Sequence, residues 1–101
     1  MATPQKIRLP EKEIHALCEE FQVIELAVFG SYLRDDFRKN SDIDFLVTFQ
    51  PEAAIGLMHV ARLQHRLQDL LGRKVDLVMK EGLKPLLRDE VLSTARVVYA
   101  A

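Results

Sequence analysis

Cysteine occurs once in this chain, at Cys18, so no disulfide can close within it. His15 precedes that thiol by three residues, but Cys18 falls in an apolar stripe, where a small buried hydrophobe fits better than a metal ligand. No apolar run approaches the length of a membrane span, and residues 1–6 lack the apolar core of a signal peptide, so a reducing cytoplasm is the expected setting. No excess of positive charge exists either: Lys and Arg number 14 against 15 Asp and Glu, for a formal net charge of −1. Binding to nucleic acid depends on many Lys or Arg contacts to phosphate, so DNA or tRNA as a direct partner is disfavoured. Repeats, low-complexity blocks and interdomain linkers are also missing. At 101 residues and 49% hydrophobic, the chain reads as one domain over residues 1–101 with a single modest core, residues 1–7 forming a loose tail.

The most informative stretch runs from Gly30 to Val47. Val23-Ile24-Glu25-Leu26-Ala27-Val28-Phe29 has the β-branched and aromatic content of a buried strand. It stops at Gly30, which has no Cβ and lets a ligand approach the backbone, and at Ser31, a residue suited to capping a helix over Tyr32 to Phe37. The free N–H groups and dipole of such a helix would face an anion. After ten intervening residues come Asp42-Ile43-Asp44. Residues i and i+2 share one face of a strand, so the two carboxylates lie side by side while Ile43 points into a core. Paired carboxylates repel unless a cation lies between them, and a hard divalent ion suits oxygen ligands. A third acid, Asp76, stands alone in the apolar run Lys74-Val75-Asp76-Leu77-Val78-Met79. Three carboxylates on adjacent strands can hold two metal ions for in-line displacement at phosphorus. The alternative for Asp76 is a surface acid on an edge strand.

Gly30-Ser31, the ten-residue interval, Asp42-Ile43-Asp44 and the later Asp76 together resemble the nucleotidyltransferase superfamily that includes DNA polymerase beta, and the short length resembles its minimal nucleotidyltransferase branch. The resemblance covers roughly residues 10 to 99. It implies an α+β, two-layer nucleotidyltransferase fold, with a small mixed sheet of three or four strands and helices packed on it. It also implies transfer of a nucleotidyl group, AMP, from ATP or another nucleoside triphosphate to a hydroxyl, with Mg2+ in a two-ion site. By the same resemblance Asp42, Asp44 and Asp76 ligate metal and serve catalysis, while Gly30, Ser31 and Arg34 bind nucleotide. Asp35 stands where the family often has a small residue after that arginine. Branch members are often antitoxins paired with a small helical HEPN-domain toxin, so the implied acceptor is a tyrosine of such a partner. A chain this short has no room for a separate acceptor domain, in keeping with an acceptor brought by another protein. A second reading, from a different class, is a binding module that neutralises its partner by covering it, with apolar surface on the 57–71 helix or the Leu86–Tyr99 segment.

The remaining pattern predicts the supporting elements. Pro10 opens a helix whose Ile14, Leu17, Cys18 and Phe21 form one stripe. Leu57, Val60, Leu63, Leu67, Leu70 and Leu71 repeat at helical spacing until Gly72, where a left-handed C-cap is expected. Pro85 starts a third helix with Leu87, Val91, Leu92 and Ala95 as its stripe, and the last four or five residues leave it as an extended tail. His59 and His65 lie six apart, a spacing that does not put two ligands on one helix face. Arg62, Arg66 and Asp69 read as a solvated face. Arg34, Arg38 and Lys39 are either solubilising loop charge or a patch that steers a triphosphate or an acidic partner.

Overall fold

The computed structural model describes residues 9–33 and 42–101. The order is α1 (Glu11–Glu20), β1 (Val23–Phe29), a 3-10 turn (Gly30–Leu33), β2 (Ile43–Phe49), α2 (Leu57–Leu71), β3 (Val75–Met79), a second 3-10 turn (Lys80–Gly82), α3 (Pro85–Thr94) and β4 (Arg96–Ala100). The strands form one sheet in the order β3-β2-β1-β4, with β2 and β3 parallel and the other pairs antiparallel. This is the small mixed sheet that the family resemblance implies. The loose tail expected at residues 1–7 lies outside the described residues. Of the helix expected over Tyr32 to Phe37 with Ser31 as its cap, the described part is a 3-10 turn that already includes Ser31, and residues 34–37 lie outside the described residues.

The two faces of the sheet differ because the strands alternate. Ile43, Phe45, Val47 and Phe49 of β2 are buried on one face, with Leu26 and Val28 opposite Val47 and Phe45 on β1. Helices α1 and α2 close this core through Ile14, Leu17, Leu63 and Leu67. Glu11 and Glu13 in the first turn of α1 complement the positive end of its dipole. Helix α2 ends as its pattern foretells: Gly72 is left-handed at φ 69°, and its N–H donates to the Gln68 carbonyl at 2.8 Å. The first residue of the α2 stripe escapes the core, since Leu57 is 85% exposed, whereas Val60 packs against it.

The predicted tail turns out to be a strand. The β-branched Val97 and Val98 and the aromatic Tyr99 pair with β1, Leu26 facing Tyr99 and Ala27 facing Val97 with a bulge between. The histidines clasp elements together. His15 Nε2 lies 3.1 Å from the Val98 carbonyl and its ring packs edge-on against Tyr99, joining α1 to β4. His59 Nε2 lies 2.7 Å from the Phe21 carbonyl, between the Phe21 and Phe49 rings. Arg66, read from sequence as solvated, donates to both carboxylate oxygens of Glu20 at 3.1 and 3.2 Å.

Among the described residues β3 is an edge strand, and an edge presents unpaired N–H groups. Helix α2 satisfies two of them: Val75 N–H donates to Gln68 Oε1 at 3.1 Å and Leu77 N–H to Gln64 Oε1 at 3.3 Å. The two glutamines are four apart, so they project from one helix face. Gln68→Ala should cost about 1 kcal/mol and speed hydrogen exchange at the Val75 amide about fivefold. Unchanged exchange there would mean that the glutamine contributes nothing to holding the edge.

Cys18 is buried, and burial, with the charge of Glu19 second, pushes its thiol from 9.0 up to about 12. A folded value above the unfolded one makes this contribution to stability complete below pH 9 and lost as pH rises toward 12. At about pH 8 iodoacetamide should leave the folded chain unmodified and alkylate it in denaturant, as read by intact mass. Among the described residues no helix is long and apolar enough to cross a membrane.

Candidate active site

The open face of the sheet carries the acids. Phe29 of β1 pairs with Asp44 of β2, and Asp44 pairs with Asp76 of β3, so the three stand in one row at the end of the sheet next to the Gly30 turn. Neighbouring strands lie about 4.8 Å apart, which makes Asp44 and Asp76 adjacent on this face. Asp42 comes one pleat earlier, just before β2 begins. It is half-buried, like Asp44, whereas Asp76 is exposed. Register, not proximity in sequence, sets the backbone of Asp76 opposite Asp44.

Gly30 has a specific steric reason to lack a side chain. Its φ is +72°, a conformation that L residues with a Cβ disfavour. A Cβ built there would overlap Asp44 Oδ2 and lie 3.2 Å from its Cγ. The bare backbone of the turn and the first strand acid are therefore packed directly together. Tyr32 anchors the turn: its ring is buried in the core, and burial pushes its hydroxyl above the ordinary phenol range, with Arg96 and then Arg73 pulling the other way. Those two arginines were not singled out by the sequence pattern. Arg96 opens β4 opposite Val28, and Arg73 lies just before β3, so both residues stand at the acid-bearing end of the sheet. Arg73 standing three residues before Asp76 is the only sequence signal that could have found either.

The predicted site residues are thus placed unequally. Gly30, Asp42 and Asp44 lie at one end of the sheet, Asp76 pairs with Asp44 across the strands from an exposed position, Ser31 lies in the 3-10 turn, and Arg34 falls outside the described residues. Hard carboxylate oxygens on adjacent strands suit a divalent ion of the magnesium type. Among the described residues, however, no group of three or more His, Cys, Asp or Glu is gathered closely enough to hold one. The backbone aligns the acids, and Asp76, on an exposed edge position, is not drawn against the other two. A groove of about 470 Å3 on the helical side, lined by residues including Met58, His59 and Arg62, holds none of these residues and lies away from the acid row.

The chain resembles known proteins over most of its length. Residues 11–98 match the nucleotidyltransferase domain family. The chain is 45% identical over 83 residues to the protein adenylyltransferase MntA of Thermococcus cleftensis, covering 82% of this chain and 80% of that one. A solved structure described as a minimal nucleotidyltransferase superposes with a TM-score of 0.72 at 39% identity, covering 84% of this chain and 85% of that one. The fold, though little of the sequence, is shared with a complex of a tri-AMPylated Shewanella oneidensis HEPN toxin with its MNT antitoxin, at a TM-score of 0.65 and 22% identity, covering 90% of this chain and 70% of that one. The chain belongs to the nucleotidyltransferase domain family, as a minimal nucleotidyltransferase.

Proposed function

We propose that this nucleotidyltransferase moves AMP from ATP to a tyrosine hydroxyl of a small helical HEPN-type toxin and so acts as its antitoxin. The observation that carries the reading is the Asp44–Asp76 pairing beside a glycine packed on the Asp44 carboxylate, which sets a close-approach turn against an acid row. The adenylyltransferase name of the Thermococcus relative supports AMP as the group transferred. The MNT–HEPN complex supports the choice of partner.

In this reading the Gly30–Leu33 turn binds the triphosphate through backbone N–H groups, with Ser31 and Arg34 as further contacts and the charges of Arg96 and Arg73 close by. Asp42, Asp44 and Asp76 would hold two Mg2+ ions, which when bound neutralise charge on the triphosphate and on the oxygens that enter and leave phosphorus. Asp76 also faces the acceptor and takes its proton. The acceptor oxygen then bonds to the α-phosphorus as the bond to the β-phosphate oxygen breaks and pyrophosphate leaves. Positioning and electrostatics supply most of the acceleration.

The exposed leucines of α3 favour a second reading. Leu86 is 94% and Leu87 52% exposed, and no residue of α3 is buried, so this helix could cover a partner without chemistry. Intact-mass spectrometry of the chain with Mg2+, each nucleoside triphosphate and any HEPN-type protein encoded beside it separates the two. AMP increments on the partner with ATP support transfer. A stable complex with no increment from any nucleotide supports cover alone.

A further inference from the structure

The open face of the sheet does not end at the acid row. Beyond it lies a cavity of about 180 Å3 between the sheet and α3, lined by Glu25 and Ala27 of β1, Leu46 and Thr48 of β2, Lys80 of the second 3-10 turn, Leu92 of α3 with Ala95 at its end, and Val97 of β4. Leu46 and Thr48 follow Asp44 on the same face by two and four residues, about 7 and 13 Å along the strand. Its floor and walls near the acids are apolar: Ala27 and Leu46 are buried partners across β1 and β2, and Val97 pairs with Ala27. Its far rim is polar. Glu25 pairs with Thr48 across the strands, and Lys80 Nζ sits 3.5 Å from Glu25 Oε1 in a pair whose side chains are only about a third exposed (35% and 38%).

We infer that this cavity receives the nucleobase of the donor triphosphate and that Glu25, Thr48 and Lys80 choose the base. The inference rests on the transferase reading, which puts the α-phosphorus at Asp44. A nucleoside extends from that phosphorus with the sugar nearest, the flat apolar rings next and the hydrogen-bonding edge of the base furthest away. The face offers the same order: acids, an apolar slot, then a rim with an acceptor (Glu25), a donor (Lys80) and a hydroxyl that does both. Binding sites of this kind are mostly apolar with a few placed polar groups that fix orientation. The edge of adenine carries a donating amino group beside an accepting ring nitrogen, which match Glu25 and Lys80 respectively. Guanine in the same pose puts an oxygen against Glu25 and a ring N–H against Lys80, leaving both mismatched. The geometry therefore points to adenine over guanine.

Calorimetric titration of the full chain with Mg-ATP, Mg-GTP and Mg-tripolyphosphate tests this. Val97 is half-exposed, so Val97→Trp can fill the slot without disturbing the core. It should weaken Mg-ATP about tenfold or more while leaving Mg-tripolyphosphate within about twofold. Glu25→Gln, which alters the rim alone, should narrow the preference for ATP over GTP severalfold. Equal losses for ATP and tripolyphosphate, or no loss for either with an unchanged ATP-to-GTP ratio, would overturn the proposal. So would a Val97→Trp effect confined to the KM for the acceptor protein, which would make the cavity an acceptor site. If the unaltered chain binds Mg-tripolyphosphate but shows no preference among bases, the base pocket fails and the transferase reading stands. If it binds neither nucleotide nor tripolyphosphate, both fail.

Discussion

The chain carrying Asp42→Ala with Asp44→Ala will keep its fold and lose nucleotidyl transfer, by about a thousandfold or more. Both positions are half-buried on the open face, away from the core formed by Ile43, Phe45 and Val47, so their loss opens no apolar cavity. In the proposed reading they supply the oxygen ligands beside the reacting phosphate, and electrostatic groups of this type are worth several kcal/mol of barrier, each 1.36 kcal/mol being tenfold. Circular dichroism checks the fold, and intact mass of the partner after incubation with ATP and Mg2+ checks transfer. The same variant separates the two ways of neutralising a toxin: under the transfer reading neutralisation falls with AMP addition, whereas a covering module continues to neutralise. Full transfer by the double variant would remove these two acids from the chemistry.

Gly30→Ala should damage both stability and transfer, because two independent costs meet at one atom. A φ of +72° costs an L residue about 1–2 kcal/mol by itself. The new Cβ would also overlap the Asp44 carboxylate, which must move or push the turn away from it. Gly72→Ala isolates the first cost, since Gly72 has φ +69° with open space where its Cβ would go, and Gly82→Ala, with neither problem, is the control. For a domain of this size 1 kcal/mol moves the melting temperature by roughly 4–8 °C. The expected order is Gly82→Ala unchanged, Gly72→Ala lower by one to two times that amount, and Gly30→Ala lower still. Only Gly30→Ala should also slow transfer, by about a hundredfold, as misplacement of a reacting group by about 1 Å does. If Gly30→Ala melts with Gly72→Ala and transfers normally, the contact with Asp44 has no consequence for the site.

The legible parts of this protein are those written in short-range patterns. Three helices, the start at Pro85 and the cap at Gly72, and the strands around Gly30 and Asp42–Asp44 follow from side chains that repeat at i+2 or at i+3 and i+4, because backbone geometry alone converts those intervals into faces. The Gly-Ser turn and the Asp pair are visible for the same reason: all their chemistry lies within 15 residues. Val97 to Tyr99 show where that reasoning ends. Their β-branched character indicates extension, but only pairing with β1, some 70 residues earlier, makes them a strand and not a tail. Asp76 is similar, since an acid within an apolar run reads equally as surface or site until parallel register sets it beside Asp44. Arg96, the glutamines that close the β3 edge and the rim of Glu25, Thr48 and Lys80 carry no local signal at all. Residues distant in sequence meet through strand order and register, which the packing of the whole core selects, so the elements and the motif were decided along the chain, and the company each acid keeps was decided by tertiary structure.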